Sequence, residues 1–202
     1  DVSAALFENH QPHPNMSQLS DMILGHRYSY SPNGFFQINL PVYELALREI
    51  SKHVTSQKIV DMYSGVGSIG LSLFDATREI TLVETNNSAF AELTANLTDF
   101  PENLRTKIHA IHAKSEDALD SLSSDCDLIL DPPRASLDKQ VVEKIREIKP
   151  QKVIYLSCNP TTQARDISDM IANNIYKIIF AKPFNFFPRT PHIENLVILE
   201  RA

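Results

Sequence analysis

Three short stretches of this sequence set chemically capable side chains directly after apolar runs: Asp61-Met62-Tyr63-Ser64-Gly65-Val66-Gly67-Ser68, Asp131-Pro132-Pro133-Arg134 and Ser157-Cys158-Asn159-Pro160. In the third, Cys158 follows the run 153–156 and stands ahead of a helical stretch at 162–171. A helix N-terminus offers partial positive charge and unbonded N–H groups, which favour a thiolate nucleophile. A buried structural cysteine is the competing reading, since free cysteines are among the most buried residues; this stretch alone leaves the two equal. In the first stretch, glycines at 65 and 67 allow a sharp turn and a close backbone approach to a ligand at a helix start. Glu84 ends the next apolar run, 23 residues after Asp61, where an acidic side chain can hold both hydroxyls of a ribose. Tight helix–sheet packing and a nicotinamide-dinucleotide site are the alternatives for this pair. The second stretch decides between them. Two rigid prolines form a platform for a flat base, flanked by a carboxylate and by a guanidinium suited to phosphate or carboxylate. A dehydrogenase has no use for such a platform, whereas a methyltransferase acting on bases has.

The elements that must position these stretches alternate strictly. Apolar runs predict strands at 59–62, 80–84, 107–112, 127–131 and 152–156, and helical spacing predicts helices at 67–74, 88–99, 116–122 and 139–148. Repeated strand–helix–strand units imply a parallel sheet covered by helices on both faces. Two final strands, 177–181 and 196–200, are joined without a helix and are expected to pair antiparallel. The fold expected is therefore α/β and Rossmann-like: seven strands, mostly parallel, with an antiparallel last strand. In such a sheet ligands bind at the carboxyl ends of the strands, the edge that all three stretches share. Ahead of the sheet, Asn39 reads as an N-cap with Pro41 in the first turn, and Tyr43, Leu47, Ile50 and Val54 form one stripe of a helix ending near 53. Residues 1–35 read as irregular, broken by Pro12, Pro14, Pro32 and Gly34, with a weak strand at 28–31.

At 202 residues, 43% hydrophobic and 22% charged, the chain has the composition of a globular domain with one good core. No apolar run approaches the ~20 residues that span a bilayer, and no signal peptide is visible. Cys126 and Cys158 form no C-x-x-C pair, so neither a zinc knuckle nor a disulfide framework is expected; a cytoplasmic monomer is the reading. His10 and His13 sit in a proline-rich stretch without further ligand spacing and read as surface polar groups. His109 and His112 fall on opposite faces of their strand, so no metal site is expected. The net charge of −6 counts against a free-standing nucleic-acid binder, which needs a basic surface.

Five motifs in order make the sequence recognisable: Ser31-Pro32-Asn33-Gly34-Phe35-Phe36-Gln37-Ile38-Asn39, the turn from Asp61 to Gly70, Asp131-Pro132-Pro133-Arg134, Ser157-Cys158-Asn159-Pro160 with Arg165-Asp166, and Phe187-Pro188-Arg189-Thr190-Pro191-His192-Ile193-Glu194. From about residue 28 to the C-terminus the chain resembles the S-adenosylmethionine-dependent RNA uracil-C5 methyltransferases, which make 5-methyluridine in transfer and ribosomal RNA. The resemblance implies a class I methyltransferase catalytic domain over 36–202, with residues 1–35 as the end of an upstream domain. It implies that Gln37, Tyr63, Gly65, Ser68, Glu84 and Asp131 line the S-adenosylmethionine site. Cys158 would be the nucleophile, Glu194 the base, and Pro132, Arg134 and Asn159 would meet the RNA substrate. Two positions depart from the usual pattern: Ser136 stands where the family has glycine, and Asn185 where it has aspartate. Family members also commonly carry an RNA-binding domain ahead of the catalytic one. Two alternatives within the same architecture are an amine-directed base methyltransferase, which needs no cysteine, and a cofactor-binding module without catalysis.

Overall fold

The computed structural model describes residues 18–202, together with a short pairing of β1 (Phe7–Glu8) and β2 (Gln11–Pro12). His10 and His13 lie outside the described residues. Part of the stretch read as irregular is an antiparallel hairpin, β3 (Leu19–Ile23) and β4 (His26–Tyr30). Its turn passes through Leu24 (φ 49°) and Gly25 (φ 86°), both left-handed, as a two-residue turn between twisted strands requires. The Leu24 N–H donates to Glu44 Oε1 at 2.8 Å, which holds this turn against α1 (Leu40–His53). Ile23 and Tyr28 are fully buried. In α1, Tyr43, Ala46, Leu47 and Ile50 form the buried stripe. Asn39 stands at the N-cap but does not cap with its side chain; its Nδ2 donates instead to Phe186 O at 3.1 Å.

Strand and helix then alternate: β5 (Lys58–Met62), α2 (Ser68–Ser72), β6 (Glu79–Glu84), α3 (Asn87–Leu97), α4 (Glu102–Arg105), β7 (Ile108–His112), β8 (Cys126–Leu130), α5 (Lys139–Ile148), β9 (Lys152–Ser157), α6 (Pro160–Ile171), β10 (Tyr176–Phe184) and β11 (Glu194–Arg201). The sheet order is β10-β11-β9-β8-β5-β6-β7. Strands β5 to β9 run parallel, and β11 is antiparallel to both of its neighbours. Because successive strand residues face opposite sides, runs apolar at every position feed two cores. Val60, Met62, Leu128, Leu130, Val153 and Tyr155 join one with α5 and α6, while Ile59, Ile129, Ile154 and Leu156 join the other with α1, α2 and α3.

The helix expected at 116–122 is instead two 3₁₀ turns, Ser115–Asp117 and Leu119–Ser121. Serine and aspartate side chains compete for the backbone there: Ser121 Oγ donates to Ala118 O at 2.6 Å. Among the described residues no helix is long and apolar enough to cross a membrane, and no cluster of three metal-ligating side chains is present.

Strand register sets the site. Met62 pairs with Val83 and with Leu130, Leu130 pairs with Tyr155, and Asn195 pairs with Ser157. Tyr63, Glu84, Asp131, Cys158 and Glu194 therefore emerge at one edge of the sheet, at the switch point where the strand order reverses between β5 and β8.

Candidate active site

The turn after β5 is built from left-handed residues: Tyr63 (φ 67°), Gly65 (φ 56°) and Gly67 (φ 88°). A Cβ on Gly67 would stand 2.6 Å from Leu93 Cδ1 and 2.8 Å from Leu71 Cδ1, whereas at Gly65 nothing lies within 4 Å. The two readings of this glycine pair thus divide between them: Gly67 serves packing, and Gly65 leaves its backbone open to an incoming group. The Gly65 N–H donates to Glu84 Oε2 at 2.8 Å and the Asn86 N–H to Oε1 at 2.6 Å. Glu84 is thereby braced at the strand end, buried but with lone pairs to spare. Ser68 Oγ lies 2.7 Å from Tyr43 Oη. Asp61 Oδ2 accepts from the Gly70 N–H at 2.9 Å, and burial raises its carboxyl to about 7. Its Oδ1 and Gln37 Oε1 are both buried without a partner. Buried acceptors are nearly always satisfied, so this end of the edge fits a ligand that carries donors.

The other end is built around Cys158, which is partly exposed beyond the last residue of β9. The start of α6 lies earlier than 162: Pro160 is its first residue, and Asn159 caps it by accepting from the Thr161 N–H at 3.2 Å. Asn159 Nδ2 also donates to Arg134 O at 3.3 Å, tying the proline segment to the cysteine corner. Arg134, Cys158, Asn159 and Pro160 face Pro191, His192 and Ile193 across an open pocket of ≈ 240 Å³. Arg134 Nη2 is 3.3 Å from His192 Nδ1. The register of β11 against β9 brings Glu194 alongside Cys158. Cys126 is fully buried at the opposite rim, at the start of β8.

The electrostatics add what the stretch alone left open. The Cys158 thiol is raised above its ordinary value, first by burial and then by the carboxylates of Glu194 and Asp131, with Arg134 pulling it back down. Burial pushes Glu194 up to about 7, against the pull of Arg134, so near neutrality its ionised fraction is available to accept a proton. Asp131 is held well above the carboxylate range by burial, then by Glu194 and Asp61.

Of the residues read from the sequence, Arg134, Cys158 and Asn159 line the pocket, with Glu194 beside the thiol. Tyr63, Gly65 and Ser68 stand at the turn after β5, with Glu84 bonded to it. Asp131 follows β8, and Gln37 is buried on the segment ahead of α1. Pro132 is buried, and it is Pro133 that is exposed. His192, which lines the pocket, was not singled out; standing two residues before Glu194, it had the spacing of a same-side neighbour on an extended chain.

The family model described as tRNA (Uracil-5-)-methyltransferase matches residues 21–202. Among curated relatives, an uncharacterized RNA methyltransferase of Nanoarchaeum equitans is 32% identical over 191 residues, covering 91% of this chain and 40% of the relative. One of Mycoplasma mobile is 33% identical over 184 residues, covering 90% of this chain and 49% of the relative. Among solved structures, the tRNA (uracil-54, C5)-methyltransferase of Pyrococcus abyssi, in complex with S-adenosyl-L-homocysteine, superposes with a TM-score of 0.80 at 27% identity, covering 98% of this chain and 48% of that one. The chain spans half or less of the length of these relatives.

Proposed function

The chain belongs to the tRNA (uracil-5-)-methyltransferase family, and on that premise we propose that it transfers a methyl group from S-adenosylmethionine to carbon 5 of a uridine in RNA through a covalent Cys158 adduct. The observation that supports this reading is the β9–β11 register, which sets a carboxyl near pKa 7 beside the one cysteine at the ligand edge. The turn after β5 fits the cofactor: Glu84 for the ribose hydroxyls, the open backbone at Gly65, and the unpaired acceptors of Gln37 and Asp61, with Tyr63, Ser68 and Asp131 beside them. S-adenosylmethionine, when bound, supplies an electrophilic methyl group.

Carbon 5 of uracil is a weak nucleophile. Cys158, as the thiolate, adds to carbon 6 and leaves an enolate whose carbon 5 is nucleophilic. Arg134 faces the thiol from the pocket wall and favours its ionised form. Once carbon 5 carries the methyl group, Glu194 takes the proton from carbon 5. The electron pair of that C–H bond then re-forms the 5,6 double bond as the sulfur leaves carbon 6. A target base has to stand free of any stack to meet Cys158. Arg134 and Asn159 form the side of the pocket available to the RNA, and the exposed Pro133 adjoins them in place of the buried Pro132.

The direct test incubates the chain with methyl-labelled S-adenosylmethionine and unmodified transfer or ribosomal RNA, followed by nucleoside analysis. Label in 5-methyluridine supports the reading; cofactor binding with no transfer to any RNA identifies a cofactor-binding module instead. A second expectation concerns Glu84. Glu84→Ala should weaken S-adenosylmethionine binding by about 1.5–3 kcal/mol, roughly 10- to 150-fold in Kd by calorimetry, the scale of hydrogen bonds to a charged group. An unchanged Kd would locate the ribose elsewhere.

A further inference from the structure

A buried cluster behind the pocket involves residues to which the chemistry above gives no part. Asp166, on the second turn of α6, is 2% exposed. Its Oδ2 accepts from the Ser136 hydroxyl, lies 2.9 Å from Tyr155 Oη and 3.3 Å from the Leu137 N–H. Ser136 Oγ and Tyr155 Oη are themselves 2.8 Å apart. Asp166 Oδ1 accepts from Arg165 Nη2 at 2.9 Å and Nε at 3.1 Å, so the buried charge is paired. The cluster therefore joins three pieces of chain: the segment after β8 that carries Asp131 and Arg134, the strand β9 that leads to Cys158, and the helix α6 that follows it.

Ser136 shows that the segment is held rather than merely resting there. Its φ is 76°, a left-handed conformation that is strained for a residue with a Cβ. The hydrogen bonds of its side chain to Asp166 and Tyr155 supply what the backbone loses. Two residues upstream, Arg134 lines the pocket with Cys158. From the other sides the thiol faces Asp131 at the end of β8 and Glu194 at the start of β11, while His192 stands on the loop before β11. Of these groups Arg134 is the cation, set against the carboxyl groups of Asp131 and Glu194.

We propose that Asp166 is a positioning residue of this active site: by clamping the 131–137 segment to the corner formed by β9 and α6, it holds Arg134 beside the Cys158 sulfur. The inference rests on Cys158 as the nucleophile, but its test requires neither RNA nor cofactor. Iodoacetamide alkylates a thiolate, and peptide mass mapping separates Cys158 from the fully buried Cys126. The rate of Cys158 alkylation is measured against pH in the full chain, in Asp166→Asn and in Ser136→Gly, with thermal melting as the control for folding. Asp166→Asn should slow alkylation near neutrality by about 5- to 10-fold, leave the limiting alkaline rate unchanged, and move the midpoint to higher pH.

Ser136→Gly removes the hydroxyl tie while glycine accepts the left-handed φ without strain, so it folds and should slow alkylation by about 2- to 3-fold. In methyl transfer, kcat of Asp166→Asn should fall with the KM for S-adenosylmethionine unchanged. Superimposable pH profiles accompanied only by a lower Tm would reduce Asp166 to a structural tie and overturn the proposal, as would a change confined to the alkaline limit. If Asp166→Asn fails to fold, a Ser136→Gly profile identical to wild type overturns it. Absence of methyl transfer by the wild-type chain, with the alkylation shifts intact, would instead strike the proposed function and leave the clamp standing.

Discussion

Cys158→Ala is expected to lose 5-methyluridine formation by a factor on the order of 10⁴–10⁶, about 5–8 kcal/mol of transition-state stabilisation, the scale seen when an enzymatic nucleophile is removed. Among the described residues Cys158 carries the one thiol at the ligand edge; without its addition to carbon 6, carbon 5 has to attack the methyl donor from the neutral ring. Folding and cofactor binding should survive, because Cys158 is only partly buried and the turn after β5 is built from other residues. The check is a labelled-methyl assay paired with calorimetry. Retention of full activity would exclude covalent addition and favour amine-directed methylation, which needs no cysteine.

Glu194→Gln separates the steps that Cys158→Ala removes together. Its cysteine can still add and the methyl group can still be accepted by carbon 5, but the proton there has no base to leave to. A methylated protein–RNA species should therefore accumulate, visible as a retarded band on a denaturing gel that carries cofactor label. The pH dependence carries the same signature. Burial raises the Glu194 carboxyl to about 7, and only its ionised form can take a proton. Elimination by the wild type should therefore rise about tenfold per pH unit up to about pH 7 and level off above it. The Gln variant should show no such step. Normal turnover by Glu194→Gln, without adduct, would assign the proton to another acceptor.

The strands of the sheet were legible because a buried parallel sheet demands continuous apolar runs, and those runs are read without ambiguity between punctuating turns. The edge-forming stretches were legible for the same reason, since each begins where such a run stops. What escaped was specified by pairings between distant residues. The hairpin turn at Leu24-Gly25 lacks the asparagine or aspartate that usually announces it; it is held by Glu44, 20 residues away. The start of α6 is the local exception: it lies ahead of the helical stretch at 162–171 because the side chain of Asn159 caps the helix. The groups around the Cys158 thiol were only partly legible: the helix start is local and visible in sequence, while Asp131 and Glu194 reach the thiol through the sheet register. Ser136 stood out in the sequence only as a departure from glycine; its partners Tyr155 and Asp166 lie 19 and 30 residues on.

The central claim, a covalent bond between Cys158 and carbon 6 on the path to methylation, is tested most directly with RNA in which uridine carries fluorine at carbon 5. Addition and methyl transfer can proceed, but the fluorine cannot leave as a proton does, so Glu194 has nothing to remove and the sulfur stays attached. Intact mass analysis of the wild-type chain should then show one species with the mass of protein plus RNA plus one methyl group, and peptide mapping should place the bond on Cys158. A chain that methylates ordinary uridine yet forms no adduct with the fluorinated RNA, or forms one at another residue, would contradict the account.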